Sequence, residues 1–231
     1  MSLQQIINKC NELHFDRRRV IGIQTTRNET IKTAETPTLN TWKFKVTSSN
    51  GLPYSLNRDL LEALDYMDRR TAETITFSNN SKMSWMFAYQ GAMTQDDINM
   101  MYVSSFIGNE LVLSGLTTTG PASAANAVLF KPGDIIQLTD KPYPFTVVET
   151  VLRGSNSTVT VKTHRPNIIG DAAINKSVIV GNAVSFRVLC VNMPTYKLVP
   201  GAQITTGGVL TNNARIEFSD SFQLIEYTDL L

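Results

Sequence analysis

The spacing of apolar residues changes character several times along the chain. Leu3, Ile6, Ile7, Cys10 and Leu13 recur at i, i+3, i+4 and i+7, which predicts a short amphipathic helix ending near His14. A helix so short is marginal alone and must dock on a larger body. Residues 20–33 are rich in β-branched side chains and read as one or two strands. Trp42, Phe44 and Val46 then share one face of a strand, alternating with Lys43 and Lys45. Beyond Asn50-Gly51 and Pro53, the residues Leu56, Leu60, Leu64 and Met67 mark the buried edge of one substantial helix. Ser55 is its expected N-cap. Residues 74–77 and 84–89 return to alternation, which places Trp85 and Phe87 in the core with Trp42 and Phe44.

Thr94 and Asp97 stand at capping-box spacing and open a short helix. From Tyr102 the strands shorten and turns become frequent, with strands expected at 111–113, 128–130, 135–138, 145–151 and 158–162. Lys131-Pro132-Gly133-Asp134 is a turn with a mechanism, because Pro presets φ and Gly accepts a positive φ next. Long alternation resumes with Val184, Phe186, Val188 and Cys190, and closes with Phe222, Leu224 and Glu226. This switch and return predict a mainly β fold. A small β-barrel or sandwich module, residues 97–170, is inserted into a larger β domain formed by residues 1–96 and 171–231.

Charge and chemistry narrow the function. The 231 residues carry 21 basic and 20 acidic groups, so the clustered excess of Lys and Arg needed by a general nucleic-acid coat is missing. Arg17-Arg18-Arg19 is the one dense basic run and reads as a solvated or interface patch. Charged residues make up 18% of the chain, below the roughly 25% of ordinary soluble domains. A surface rich in Thr, Ser and Asn suits coverage by partners, and suits a secreted β protein equally. The N-terminus lacks a signal-peptide pattern, and no stretch approaches the roughly 18 apolar residues of a membrane span. The expectation is synthesis in a cytoplasm without a membrane anchor.

Cys10 and Cys190 have neither metal-type spacing nor a disulfide framework and are expected as buried free thiols. Only His14 and His164 offer imidazoles, and both read as structural. Residues 153–158 lack the second Gly of a nucleophile elbow, and phosphate and dinucleotide loops are missing. Asp96, Asp97, Asp134 and Glu149 are acids of the kind that could pair in a glycosidase, a signal that chance supplies in any chain of this size. Sequon-like triplets at Asn28, Asn79, Asn156 and Asn175 carry little without a secretory signal. No residue is assigned a catalytic, cofactor-binding or metal role, and neither an enzyme nor a cofactor is expected.

Certain segments, taken in order, do carry a likeness. They are Thr25-Thr26-Arg27-Asn28-Glu29, the Trp42 to Val46 strand, the 58–68 helix, and Met83-Ser84-Trp85 through Tyr89-Gln90-Gly91. Phe130-Lys131-Pro132-Gly133-Asp134, Val151-Leu152-Arg153-Gly154-Ser155 and His164-Arg165-Pro166 follow, and then residues 194–200 and 218–226. This series resembles virion structural proteins of tailed bacteriophages, of the baseplate-hub and distal-tail type. It spans most of the chain and is most specific at residues 151–166.

The resemblance implies a tube-like β-sandwich with a flanking helix. Such a subunit would be part of a ring that joins the tail tube to host-facing components, built in the bacterial cytoplasm and carried in the virion. Its partners would be copies of itself and neighbouring tube, hub and baseplate proteins, with no small-molecule substrate, membrane insertion or specific nucleic acid. The expected contact elements are residues 20–33, a loop at 205–215 and the N-terminal helix. A tail tube, terminator or peripheral baseplate component is the alternative. From another class comes a carbohydrate-binding or glycan-cleaving β protein, which a cleft of exposed aromatics and paired acids would distinguish.

Overall fold

The computed structural model describes residues 2–17, 21–25, 31–35, 40–49, 51–66, 71–201, 203–206, 209–212 and 214–228. Helix α1 (Ser2–Lys9) runs directly into β1 (Cys10–Asp16), followed by β2 (Ile21–Thr25), β3 (Ile31–Glu35), β4 (Lys43–Ser48) and β5 (Leu52–Pro53). Helix α2 (Arg58–Asp65), β6 (Glu73–Thr76) and α3 (Gln95–Met100) come next. A series of short strands begins with β7 (Tyr102–Ile107), β8 (Glu110–Ser114), β9 (Val128–Phe130) and β10 (Ile135–Leu138). It continues through β11 (Phe145–Thr146), β12 (Val151–Leu152), β13 (Val159–Lys162) and β14 (Val178–Val180). The chain closes with β15 (Ser185–Asn192), β16 (Tyr196–Val199), β17 (Gln203–Thr206), β18 (Val209–Asn212), β19 (Arg215–Phe218) and β20 (Phe222–Glu226). The protein is mainly β: 39% of it is strand in several antiparallel sheets, one curled into a half-barrel, and its few helices are short.

The largest sheet has five strands in the order β1-β4-β20-β15-β6, every neighbour antiparallel. Period-two alternation puts Phe44, Val46, Phe186, Val188, Phe222, Leu224 and Ile75 on its inner face, all essentially buried. Trp42 extends that face, stacked parallel to Phe44 at 6.0 Å and edge-on to Phe186 at 5.3 Å. Helix α1 lays Leu3, Ile6 and Ile7 on the same core. Its last carbonyls, which no helix can satisfy internally, are met from outside. Asn80 Nδ2 donates to Ile7 O at 2.6 Å, and the Ser49 backbone N–H and hydroxyl both donate to Lys9 O.

Several boundaries differ from the sequence expectation. The first helix stops at Lys9, so Leu13 and His14 belong to β1, with His14 opposite Lys45. Ser55 does not cap α2. It lies in a 3-10 turn at Tyr54–Leu56, Asn57 occupies the N-cap position, and Leu56 is exposed. Met67 lies outside the described residues, and Leu60, Leu61 and Leu64 form the buried edge. Residues 145–151 form two short strands, β11 and β12, in different sheets.

Residues 84–89 are not a strand either. Successive backbone bonds from Met83 to Asn80, Met86 to Met83 and Ala88 to Trp85 wind them into a 3-10 turn, Ser84–Phe87. Met83 and Phe87 point inward and Trp85 is 69% exposed, which corrects its placement in the core. Trp42, Phe44 and Phe87 are buried as expected.

A second buried cluster gathers residues from Met93 to Val180, including Val103, Phe106, Leu111, Phe130, Leu138, Phe145 and Val161. The strands that bound the first cluster come from both sides of this stretch in sequence, because β6 pairs with β15. The Thr94–Asp97 capping box is present, with each residue's side chain bonded to the other's backbone N–H. Gly133 takes its expected positive φ of 99° in the turn after Pro132.

Candidate functional site

Strand edges are the first feature with functional content. Residues β2 and β3 pair over Ile21↔Glu35 to Thr25↔Ile31, and among the described residues neither pairs with any other strand. The same holds for β17 and β18, paired over Gln203↔Asn212 to Thr206↔Val209. This second ribbon continues the β16–β19 hairpin, whose register ends at Val199↔Arg215. It replaces the loop expected at 205–215. Residues 20–33 do supply two strands, although part of that segment, with Arg18 and Arg19, lies outside the described residues.

A lone two-stranded ribbon is marginal in water, and its outer N–H and C=O groups remain available to another chain. On the five-stranded sheet, β1 pairs only with β4 among the described residues. An open groove running across β1, β4 and β20 to the end of β15 is lined by His14, Lys43, Lys45, Gln223 and Ile225, with the half-exposed Phe15 and Val191. Trp85 and Met86 are exposed side by side on their turn, and the Trp85 indole is held by its N–H bond to Lys82 O at 2.7 Å.

The second feature is a buried clamp between the two clusters. Arg165, just beyond β13, and Glu226, at the end of β20, both have fully buried side chains. They meet through two parallel bonds, Nη1 to Oε2 at 2.5 Å and Nη2 to Oε1 at 2.8 Å. Arg165 Nη2 also donates to Pro144 O at 2.8 Å, and the Trp42 backbone N–H donates to Glu226 Oε2 at 3.1 Å. The Trp42 indole N–H reaches Pro144 O at 3.2 Å, so that one carbonyl joins the pair to the aromatic core. Arg165 lies over the Phe145 ring at 5.1 Å, its Nε without a partner.

His164 stands beside this clamp. The Thr146 backbone N–H donates to its Nδ1 at 2.9 Å, which leaves the proton of the neutral ring on Nε2, buried and unpartnered. Burial first, then the neighbouring Arg165 and Arg17, push its pKa from 6.5 down to about 3. Thus the ring stays neutral under ordinary conditions.

The remaining residues weighed for chemistry have separate local partners. Asp134 accepts from the Lys131 N–H at 2.8 Å and the Gln90 N–H at 3.0 Å, and burial raises its pKa. Asp97 serves the capping box, and the bond from the Thr94 backbone holds its pKa low. Glu149 pairs with Lys162 at the surface, 3.3 Å apart, and Asp96 is exposed. Cys10 and Cys190 are buried free thiols, and burial raises Cys10 to about 11. Among the described residues no three His, Cys, Asp or Glu gather as a metal cluster would, and no helix is long and apolar enough to cross a membrane.

No protein-family model matches the chain, and no curated protein matches it.

Proposed function

We propose that this chain is a structural subunit of a bacteriophage tail, part of the baseplate hub or distal-tail ring that joins the tail tube to host-facing components. The observation that carries the reading is the pair of two-stranded ribbons, β2–β3 and β17–β18, whose outer edges are unpaired among the described residues. Such ribbons gain stability when a neighbour completes them, and in a closed ring every subunit can both give and receive that contact. The edge of β1, unpaired among the described residues, and the exposed Trp85 add surface of the kind that interfaces bury at their centre. The sequence resemblance points the same way.

In this reading residues 97–170 are an inserted module on a tube-like domain of residues 1–96 and 171–231. The subunit has no turnover, takes no cofactor, and belongs to the virion after assembly in the host cytoplasm. Its partners are its own copies and the adjoining tube, hub and baseplate proteins. Imaging of the assembled particle with this chain located is the direct test. The expected result is a closed ring in which each subunit buries more than about 2,000 Å² against its neighbours. An isolated peripheral decoration with small contacts, or measurable hydrolysis of a host glycan, overturns the reading.

A further inference from the structure

Thr76 lies on β6, which among the described residues is an edge strand of the five-stranded sheet, yet both of its outward backbone groups are satisfied. Its N–H donates to Gln4 Oε1 at 2.7 Å, and its C=O accepts from Gln4 Nε2 at 2.9 Å. Gln4 Nε2 also donates to Asn8 Oδ1 at 2.7 Å, one turn further along α1, which fixes the orientation of the carboxamide. The Leu3 N–H, unsatisfied within the helix, donates to Glu73 Oε2 at 3.2 Å on the same strand.

A primary carboxamide presents one C=O and N–H donors in the plane, as a peptide group does. Gln4 therefore makes the two bonds that an adjacent strand would make to Thr76. Ser185 and Arg187 of β15 stand opposite Thr76 and Thr74. The alternation of an antiparallel ladder turns the backbone groups of Thr74 to the same open side as those of Thr76. An edge of this kind is a template for pairing with another molecule unless something obstructs it.

We propose that α1 is an edge guard. The Gln4 carboxamide takes the place of an incoming peptide at Thr76, prevents a second copy of the chain from pairing through β6, and leaves β1 as the unpaired edge of this sheet among the described residues. The excluded partner is a second copy because two β6 edges are self-complementary about a two-fold axis in antiparallel register. The inference stands on the free chain and does not depend on the ring reading.

Four proteins test it by sedimentation at matched concentration: wild type, Gln4→Ala, Thr76→Pro and the double variant. Proline at 76 deletes the outward N–H at an edge position, where it is tolerated, and leaves the ladder to β15 in place. Wild type and Thr76→Pro sediment alike. Gln4→Ala reaches a mass about twice that of wild type, and the double variant returns to the wild-type mass. In dilute Gln4→Ala, amide exchange at Thr76 is faster by roughly tenfold or more. A Gln4→Ala protein that keeps the wild-type mass overturns the proposal, whatever the exchange at Thr76, and so does undiminished Thr76 protection. So does association, or precipitation, that persists in the double variant, since that traces to loosened apolar residues of α1 rather than to the edge.

Discussion

At the scale of single residues, the clamp and the core make opposite kinds of demand. Glu226→Ala leaves the Arg165 guanidinium buried without its counter-charge, a change that typically costs about 3–5 kcal/mol. A urea midpoint close to wild type is the result that contradicts this. Trp42→Ala also costs about 3–5 kcal/mol, through the cavity left among Phe44, Phe186 and His164. Trp85→Ala, in contrast, stays within about 0.5 kcal/mol of wild type, as exposed substitutions usually do. If the proposed tail-subunit role holds, its effect is expected in incorporation into the particle. His164 adds a pH dependence whose sign is fixed by its depressed pKa. The unfolded chain takes up the proton more readily, so stability is full above pH 6.5 and declines as pH falls toward 3. His164→Asn keeps an acceptor for the Thr146 N–H without the titration. Unfolding free energies measured at pH 7 and pH 4.5 should therefore differ less in that variant than in wild type, and equal differences count against the assignment.

At the scale of elements, the ribbon β17–β18 pairs with no other strand among the described residues. Replacing residues 202–213 by a short turn should leave the melting temperature within a few degrees and, if the proposed tail-subunit role holds, abolish incorporation into particles. A large loss of stability would mean that the ribbon supports the subunit itself. How far such elements could be foreseen depended on the distance to their partners. The Trp42-Phe44-Val46 alternation is legible because a half-buried strand writes its own period. The Thr94–Asp97 cap is legible because its partners lie three residues apart. Ser84 to Tyr89 alternates just as well, but local i to i+3 bonds and the Asn80 side chain wind it into a turn, which buries Met83 with Phe87 instead of Trp85. The Gln4–Thr76 and Arg165–Glu226 contacts join residues far apart in sequence, and no local pattern announces them. Residues 205–215 read as a loop because of their polarity and the Gly207-Gly208 pair, while the pairing register makes strands of most of them.

At the scale of the whole molecule, the chain order of the five-stranded sheet sets a timetable. Strands β1 and β4 pair with each other early in the chain, but the other neighbour of β4, β20, and the neighbour of β6, β15, lie beyond residue 184. Closing a loop as long as 77–184 before β6 can meet β15 is slow, because the entropy of closure must be met first. The strands between them contact each other over much shorter separations, as β7 with β8 and β8 with β13 do. They can condense while the rest is still being synthesised, which brings the end of β6 and the start of β15 close together. Refolding should accordingly show an early phase in Phe106 and Phe145 and a later one in Trp42. The amide of Thr76 is the informative probe of the interval. Gln4 leaves the ribosome before β6 does, so the guard can be seated on its strand before the rest of the sheet exists.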